Sequence, residues 1–374
     1  MNKRFSALSL IAVLVALILI SLAGTAFAQE PTFDPSARPL FAKLPPHSYY
    51  PVANGPNVTP LPQWTFSFTY NNRTYNDVFV GTNPATSNST TTIHWGIIPL
   101  KMVYGPSNGN MTFDPNAANE FGTQSATQMI NGSPQFQSTV DWVQGGTDVG
   151  KTQYGDAYQR ANFWADVTSN TNYHLLFAKA LIAPVQTLNV PSNEGSVISN
   201  PWSGVPTGTA DINWFDLQLQ SIMKKFKQIQ PNTFPLFLTY NVYLTEGGCC
   251  IGGYHSANGL PPNGQTYAYT TTIEQAGLPV FSQDIGALSH EIGEWILDPF
   301  VNNNSPCGIM ENGDPLETEA NFGDFPYTVN GFTYHPQDLV FVDYFGASSS
   351  LPVNGWHTFE NETNANGVCS RGSN

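Results

Sequence analysis

The stretch that decides the fold is Ser282–Phe300, which reads SQDIGALSHEIGEWILDPF. At about 100° per residue, its apolar side chains form one stripe of a helix, consisting of Ile285, Leu288, Ile292, Trp295 and Ile296. The opposite face carries His290, Glu291, Glu294 and Asp298. Pro299 follows the last periodic residue, where a helix is expected to stop. The stretch therefore predicts an amphipathic helix with one imidazole and three carboxylates on one face.

The polar face contains H-E-I-G-E at residues 290–294, one residue away from the H-E-x-x-H pattern of zinc enzymes. In that pattern two histidines bind the metal and the glutamate activates a water molecule. A carboxylate oxygen is also an accepted zinc ligand. We therefore expect His290 and Glu294 to bind Zn²⁺ and Glu291 to act as general base. The alternative is a surface helix whose solvated face is acidic.

A catalytic zinc site keeps three protein ligands, so a third one has to be found. Glu311, in the later segment CGIMENGDPLE, is our first candidate, because a carboxylate from a later segment completes sites of this kind. The alternatives are Asp298 on the helix itself, Asp314 just after Glu311, and His255 in the preceding loop.

Residues 1–28 have the pattern of a signal peptide. Lys3 and Arg4 precede an apolar run that ends in the small-residue cleavage site Ala26-Phe27-Ala28. The alternative is an uncleaved anchor, because the apolar run is long. With cleavage we expect a secreted protein, extracellular or periplasmic, without stable membrane insertion, because no later stretch is apolar enough to span a bilayer.

The charge of the chain argues against a nucleic-acid partner. Loss of Lys3 and Arg4 with the signal peptide reduces the 13 basic residues to 11, against 27 acidic residues, for a net charge of −16. Polyanions attract proteins of the opposite sign. Only 11% of the residues are charged and 13% are aromatic, which indicates a β-rich exported protein and not a disordered one.

The four cysteines, Cys249, Cys250, Cys307 and Cys369, predict two disulfides in an exported chain. Neighbouring side chains of a strand point to opposite faces. We therefore expect Cys249 and Cys250 each to bond a distant partner, Cys307 or Cys369, rather than each other. A zinc site made of the four thiolates is the weaker alternative, because the spacing fits no usual zinc knuckle.

The order of elements predicts an α+β fold with a β-rich N-terminal lobe, a zincin-like lobe and a loop-rich C-terminal part. The predicted boundaries are a Pro-rich linker at 29–62, the β-rich lobe at 63–205 and the zincin-like lobe with the HEIGE helix at 206–374. In the zincin layout, the strand before the metal helix edges the cleft and can pair with an extended substrate.

Local patterns predict the individual elements. The clearest are a hairpin at Trp64–Val80, a strand at Thr90–Tyr104 with a break near Pro99, and a helix at Asp211–Gln230 with Asp211 as N-cap. Further predictions are helical fragments at 124–130, 136–143 and 152–167, strands at 173–183, 186–190, 235–244, 265–273 and 339–344, and a hairpin at 327–334.

Three motifs together resemble a known family. GCCIGGYHS, LSHEIGEWILDPF and ENGD, within Leu236–Asp314, are similar to secreted proteins with an H-E-[LI]-x-E-x-x-[TS]-[DN]-P signature. These include the plant EXORDIUM, or phosphate-induced, family, although Leu297 replaces the signature's [TS] residue. HEIGE also resembles the zincin metallopeptidase motif, but Leu297 and Phe300 exclude the metzincin extension. The resemblance implies an extracellular or wall-associated, zincin-like protein, and does not by itself imply catalysis.

Two functions follow as hypotheses. The first is a secreted zinc-dependent hydrolase, a metallopeptidase acting on a peptide or protein substrate. The second is a non-catalytic extracellular protein that associates with a cell-wall polymer or surface. A glycosidase using Glu291 and Glu294 is less well supported, because glycosidases flank the scissile bond with their two carboxylates from opposite sides.

Overall fold

The structure is a computed structural model that describes residues 44–47, 58–117, 124–274, 282–319, 321–348 and 351–370. The predicted signal peptide 1–28 and most of the predicted linker 29–62 lie outside the described residues. The fold is α+β, as predicted. In the described ranges, no helix is long and apolar enough to cross a membrane.

Within these residues the helices are α1 (Ala126–Gly132), α2 (Tyr154–Asn162), α3 (Trp164–Val167), α4 (Ile212–Lys225) and α5 (Gly286–Leu297). The strands of the first half are β1 (Gln63–Tyr70), β2 (Arg73–Val80), β3 (Thr90–Tyr104), β4 (Met111–Phe113), β5 (Val140–Gln144), β6 (Thr147–Thr152), β7 (His174–Phe177), β8 (Leu181–Ile182), β9 (Gln186–Val190) and β10 (Val197–Ser199). Those of the second half are β11 (Pro206–Asp211), β12 (Thr233–Tyr240), β13 (Val242–Thr245), β14 (Cys249–Ile251), β15 (Gly253–Asn258), β16 (Gln265–Thr272), β17 (Asn304–Ser305), β18 (Gly308–Ile309), β19 (Tyr327–Val329) and β20 (Phe332–Tyr334).

The main sheet has eight strands, in the order β15-β16-β12-β3-β4, with β7, β8 and β9 along the other side of β3. Strand β12 is parallel to both β3 and β16, whereas β15 runs antiparallel to β16. Strands from both sides of the predicted lobe boundary at residue 205 therefore share one sheet. A second sheet of four strands has the order β10-β11-β13-β14.

The predicted break of β3 near Pro99 does not occur, because the strand is continuous over 15 residues. The backbone carbonyl of Ile97 points towards β8 and β9, because it accepts a hydrogen bond from the N–H of Ala183. The backbone groups of Pro99, two residues later, point to the same side of the strand. Pairing with β8 ends at Ile97 and pairing with β9 begins at Leu100. The missing N–H of Pro99 therefore falls in the gap between two partner strands.

Helix α5 lies on the main sheet and is buried on every side. Its predicted apolar stripe is confirmed in the core, where the ring centroids of Trp295 and Phe234 lie 4.2 Å apart. The indole N–H of Trp295 donates a hydrogen bond to Thr266 Oγ1 on β16. The polar face is buried as well. The alternative of a solvated acidic face is therefore wrong.

Two glycines of α5 allow side chains from other segments to approach the helix closely. A Cβ on Gly286 would lie 2.6 Å from a carboxylate oxygen of Asp324, and one on Gly293 would lie 2.4 Å from a methyl carbon of Leu339. Both distances are shorter than van der Waals contact. The side chains of Asp324 and Leu339 therefore occupy the space beside these two glycines, and a larger residue at either position would have to displace them.

Several local predictions are confirmed. These are the β1–β2 hairpin, the β19–β20 hairpin, strands β9 and β16, and helix α2. Asp211 is the N-cap of α4, and its Oδ1 accepts from the backbone N–H groups of Asn213 and Trp214 at 2.9 and 3.0 Å. The helix ends at Lys225, before the predicted Gln230, because Phe226 already has an extended backbone.

Three other local predictions are wrong. The helical fragment predicted at 136–143 overlaps strand β5, which forms a hairpin with β6. The strand predicted at 235–244 is two strands, because Asn241 between them has a left-handed backbone with φ of 53°. The strand predicted at 339–344 is a buried irregular segment. Side chains of α2 bind its backbone there, since Tyr158 donates to the carbonyl of Val340.

The predicted disulfide pairing is wrong. Cys249 bonds its neighbour Cys250, and Cys307 bonds Cys369. The prediction assumed regular alternation, but the register of β13 and β14 shifts here, since Leu244 faces Ile251 whereas Thr245 faces Cys249. Such a bulge breaks the alternation that would separate neighbouring side chains. The alternative of a four-thiolate zinc site is excluded as well, because all four cysteines form disulfides.

The N-cap gives a first test. Asp211→Ala should lower the free energy of unfolding by about 1 kcal/mol, because two N–H groups of the first turn of α4 lose their acceptor. Asp211→Asn keeps an acceptor oxygen and should stay close to the parent. Urea unfolding followed by circular dichroism measures both; equal stability of the Ala and Asn variants would contradict the capping role.

Asp338 gives a second test, through pH. Its Oδ1 accepts from the N–H groups of Leu339 and Glu360, yet burial raises the pKa of this carboxyl to about 7. A raised pKa means that the folded protein binds the proton more tightly than the unfolded chain does. The stabilisation is complete below about pH 4 and is lost as the pH rises through 7.

Between pH 5 and pH 8 the parent should therefore lose about 2 to 3 kcal/mol more stability than Asp338→Asn, which cannot ionise. Urea unfolding of both proteins at the two pH values measures this difference. Parallel pH profiles for parent and variant would show that Asp338 is ionised at both values.

Candidate metal centre

Three segments bring the candidate site residues together. Helix α5 carries His290, Glu291 and Glu294, strand β15 carries His255, and the segment 311–314 returns after the β17–β18 hairpin. His255 therefore lies in a strand and not, as its sequence neighbours indicated, in a loop. The arrangement depends on α5 facing β15 with its polar side.

His290 is held by Gln337. Its Nδ1 lies 2.6 Å from Gln337 Oε1, and the Gln337 amide nitrogen donates to the carbonyl of Phe322 at 2.8 Å. A carbonyl can only accept, so the amide oxygen must face the imidazole, and Nδ1 of His290 carries the hydrogen. The lone pair of Nε2 then points towards Glu294 Oε1 at 3.0 Å and Asp314 Oδ1 at 3.7 Å.

His255 is held in the same manner by a backbone group. Its Nε2–H donates to the carbonyl oxygen of Asp298 at 3.0 Å, since that oxygen can only accept. The lone pair of Nδ1 therefore faces two carboxylates, with Glu291 Oε2 at 3.2 Å and Glu294 Oε2 at 3.7 Å. An N–H bonded outward to a carbonyl is the usual way in which a metal-binding histidine is oriented.

Glu294 lies between the two imidazoles. Its Oε1 faces His290 and also accepts from the backbone N–H of Gly313 at 3.2 Å, whereas its Oε2 faces His255. In each case an imidazole lone pair meets a carboxylate oxygen. At 3.0 Å, the lone pair of His290 and Glu294 Oε1 need a proton or a cation between them, whereas the 3.7 Å contact with His255 is longer than a hydrogen bond.

The four candidates for the third ligand lie in different surroundings. Among the described residues, two groups have all ligand atoms within 4.8 Å of one another: His290, Glu294 and Asp314, and His255, Glu291 and Glu294. Asp298 instead accepts from the backbone N–H groups of Asn302 and Asn303 and orients His255 through its carbonyl. Glu311 is buried and belongs to neither group.

Burial and like charge together govern the electrostatics of the site. Burial, and then the charges of Glu294, Glu311, Asp314 and Glu317, raise the pKa of Glu291 well above its ordinary value. Burial lowers the pKa of His255 to about 3, so its imidazole is neutral at neutral pH. Without a cation, burial and the repulsion between carboxylates therefore favour the protonated form of Glu291.

The site is closed to solvent. The exposed fractions of His290, Glu291 and Glu294 are 0%, 1% and 2%, and His255 is 2% exposed. The side chain of Asp314 is 13% exposed. Of the residues in the two groups, Asp314 is thus the one through which the site reaches the surface.

Two contributors to the site were not predicted from the sequence. Gln337 orients His290 from a segment 47 residues away, and no local pattern indicates it. Gly253 leaves room for Glu291, because a Cβ there would lie 2.7 Å from Oε1 and 2.8 Å from Cγ of that side chain. The glycines of GCCIGG were a signal for close approach, but only the fold shows what approaches.

Comparison of the chain with protein-family models, with curated proteins and with solved structures finds no match.

Gly253 gives a test of the site. Gly253→Ala should displace the Glu291 carboxylate and weaken zinc binding at the group of His255, Glu291 and Glu294 about 10- to 100-fold, the range seen when the support of a metal site is disturbed. Gly248→Ala is the matched control, because no atom lies within 4 Å of the added Cβ. Competition with a zinc chelator measures both affinities, and equal affinities would show that Glu291 does not need this space.

Proposed function

We propose that the chain is an exported zinc-dependent hydrolase that cleaves peptide bonds. The observation that carries the proposal is the convergence of His290 Nε2, Glu294 Oε1 and Asp314 Oδ1, beside the carboxyl group of Glu291. These distances favour Asp314 over Glu311 as the third ligand. Zincin-like chemistry and secretion are supported by the motifs and the N-terminal sequence discussed above.

The residues present fit zinc. Imidazole nitrogen and carboxylate oxygen are both zinc ligands, and three protein ligands leave a position for water or substrate. The Nδ1–H of His290 is bonded to Gln337, which fixes the imidazole with Nε2 towards the carboxylates. The cluster of buried carboxylates also supplies the negative charge that a divalent ion compensates.

A zinc ion bound there would polarise the substrate carbonyl and lower the pKa of a water molecule. In this mechanism Glu291 takes up the proton from water and delivers it to the leaving amine. Burial and the neighbouring carboxylates raise the pKa of Glu291, which favours uptake of a proton by its carboxyl group. With a single ion bound, the protonated Glu291 can donate a hydrogen bond to Nδ1 of the neutral His255, 3.2 Å from Oε2, which keeps the carboxyl in position.

A peptide as substrate is supported by the sheet edge beside the site. The predicted edge strand, β16, lies between β12 and β15 and is interior, because β15 folds back antiparallel to it. Strand β15 is the outer strand, and the chain's own residue His47 pairs with it: its N–H donates to Ala257 at 2.8 Å and its carbonyl accepts from Gly259 at 2.7 Å. At this point the edge is filled by the chain's own backbone, in the way in which an extended peptide adds to a sheet.

The burial of the site favours the second hypothesis, in which the protein is non-catalytic and acts at a cell wall or surface. A closed site holds an ion as a structural element and gives a substrate no access. In that case zinc would raise the stability of the protein without any turnover. Binding to a cell-wall polymer would be tested by sedimentation with wall fractions.

Zinc content and turnover test the proposal together. The purified mature chain should contain zinc in near-stoichiometric amount, and His290→Ala and Glu294→Ala should lose that ion, with affinity reduced at least about 100-fold. Glu291→Gln should keep the ion of the His290 group but lose casein cleavage, because the general base is removed. Glu294→His should bind zinc more tightly, because it restores the two-histidine pattern.

His94→Ala, a change at an exposed histidine of β3, is the control for these variants. Zinc content is measured by mass spectrometry of the metal, and folding by circular dichroism. A parent protein without zinc, or a Glu294→Ala variant that binds zinc as tightly as the parent, would contradict the proposed site. Zinc with no cleavage of any peptide would favour the non-catalytic protein.

A further inference from the structure

We propose that the site holds two divalent cations, bridged by Glu294, with the second ion bound by His255 and Glu291. This inference rests on the proposed function, because it adds a second ion beside the one assigned to His290, Glu294 and Asp314. The ions are of the class that imidazole and carboxylate ligands select, such as Zn²⁺ or Mn²⁺.

The two halves of the site have the same composition. Each consists of one histidine and one carboxylate of its own, and each shares Glu294, with all ligand atoms of a half within 4.8 Å of one another. The first half has Asp314 as its own carboxylate and the second has Glu291. A mononuclear zinc site does not need the second set, in which Glu291 lies on α5 and His255 comes from a different element, β15.

The imidazoles are oriented as ligands in both halves. His290 directs its N–H outward to Gln337, and His255 directs its N–H outward to the carbonyl of Asp298. Each ring therefore presents a lone pair to the carboxylates. If His255 served only to orient Glu291 through a donated hydrogen bond, its N–H would have to face Glu291 and not Asp298.

Glu294 has the geometry of a bridging carboxylate. Its two oxygens face different imidazoles, Oε1 towards His290 at 3.0 Å and Oε2 towards His255 at 3.7 Å. The shorter contact joins two acceptors within hydrogen-bond distance and needs a cation or a proton, and the longer one places a second imidazole lone pair beside the other oxygen. Two-metal hydrolases commonly hold ions about 3.5 to 4 Å apart, a spacing that one carboxylate group can bridge.

Glu291 supports the second ion independently. Its Oε1 is buried and has no hydrogen-bond partner, while its Oε2 faces His255. A buried carboxylate oxygen without a partner destabilises the folded protein, and a cation bound to that oxygen would offset the cost.

Charge leads to the same conclusion. The carboxylates of the two groups carry three negative charges when ionised, and one divalent ion leaves one of these uncompensated. Glu311 and Glu317 are also near enough for their charges to act on Glu291. Two divalent ions supply four positive charges, against the five negative charges that Glu291, Glu294, Asp314, Glu311 and Glu317 carry when all are ionised.

The experiment counts ions. The full mature chain is equilibrated with Zn²⁺, freed of excess by gel filtration, and its zinc measured by mass spectrometry. We expect about two equivalents in the parent and in the control His94→Ala, and about one in His255→Ala. Glu291→Gln should also retain about one, whereas a general base that is not a ligand would leave the count unchanged.

The outcomes separate the two proposals. One equivalent in the parent, unchanged in His255→Ala and in Glu291→Gln but lost in His290→Ala, would overturn the second ion and leave the proposed function intact. No zinc in the parent would overturn both.

A second measurement needs no variant and covers the case in which His255→Ala does not fold. The parent loaded with Mn²⁺ should show the electron paramagnetic resonance spectrum of two magnetically coupled ions. A spectrum of isolated Mn²⁺ at saturation would overturn the bridge.

Discussion

The structure depends on one constraint: helix α5 is fully buried although its inner face carries a histidine and two glutamates. Removing ionisable groups from water costs several kcal/mol each unless they are paired, bonded or neutralised. The surroundings of α5 provide these partners one by one. Gln337 binds His290, the N–H of Gly313 binds Glu294, and His255 approaches Glu291 from strand β15. A cation would complete the set, because hydrogen bonds alone do not balance the carboxylates.

The same constraint explains the shape of the protein around the helix. Charged side chains can meet in the interior only if the main chains come close, and glycine provides that space at Gly253 beside Glu291 and at Gly313 beside His290. At the start of α5, Gly286 admits the carboxylate of Asp324, where the positive end of the helix dipole favours negative charge. Burial and the neighbouring Asp284 nevertheless raise the pKa of Asp324, so this end of the helix also contains a carboxyl that tends to hold its proton.

The sequence predicted the features that depend on residues close together in the chain. The apolar stripe of α5, the β1–β2 hairpin and the Asp211 cap each follow from residues within one or two turns of each other. The third ligand, the tautomers of the histidines and the disulfide pairing depend on contacts between distant segments, which periodicity does not report. The segment 339–344 shows the limit clearly: its buried apolar residues resemble a strand, but its backbone bonds to scattered partners, such as Tyr158 of α2 and the carbonyls of Asn312 and His357, and not to one neighbouring strand. A single bulge at Cys250 accompanies a disulfide between neighbouring cysteines, where we expected Cys249 and Cys250 each to bond a distant partner.

The segment 311–314, which returns to the site, is held in place by a nearby disulfide bond. Cys307 lies in the β17–β18 turn, four residues before Glu311 and seven before Asp314, and its disulfide to Cys369 joins this turn to the C-terminal end of the described chain. Mutual repulsion of carboxylates would drive such a segment away from α5 in the absence of a cation. The disulfide limits that movement, because it removes much of the freedom that the loop would gain on opening. The site can therefore keep the arrangement of its carboxylates while an ion enters through Asp314, its one solvent-reaching ligand among the two groups.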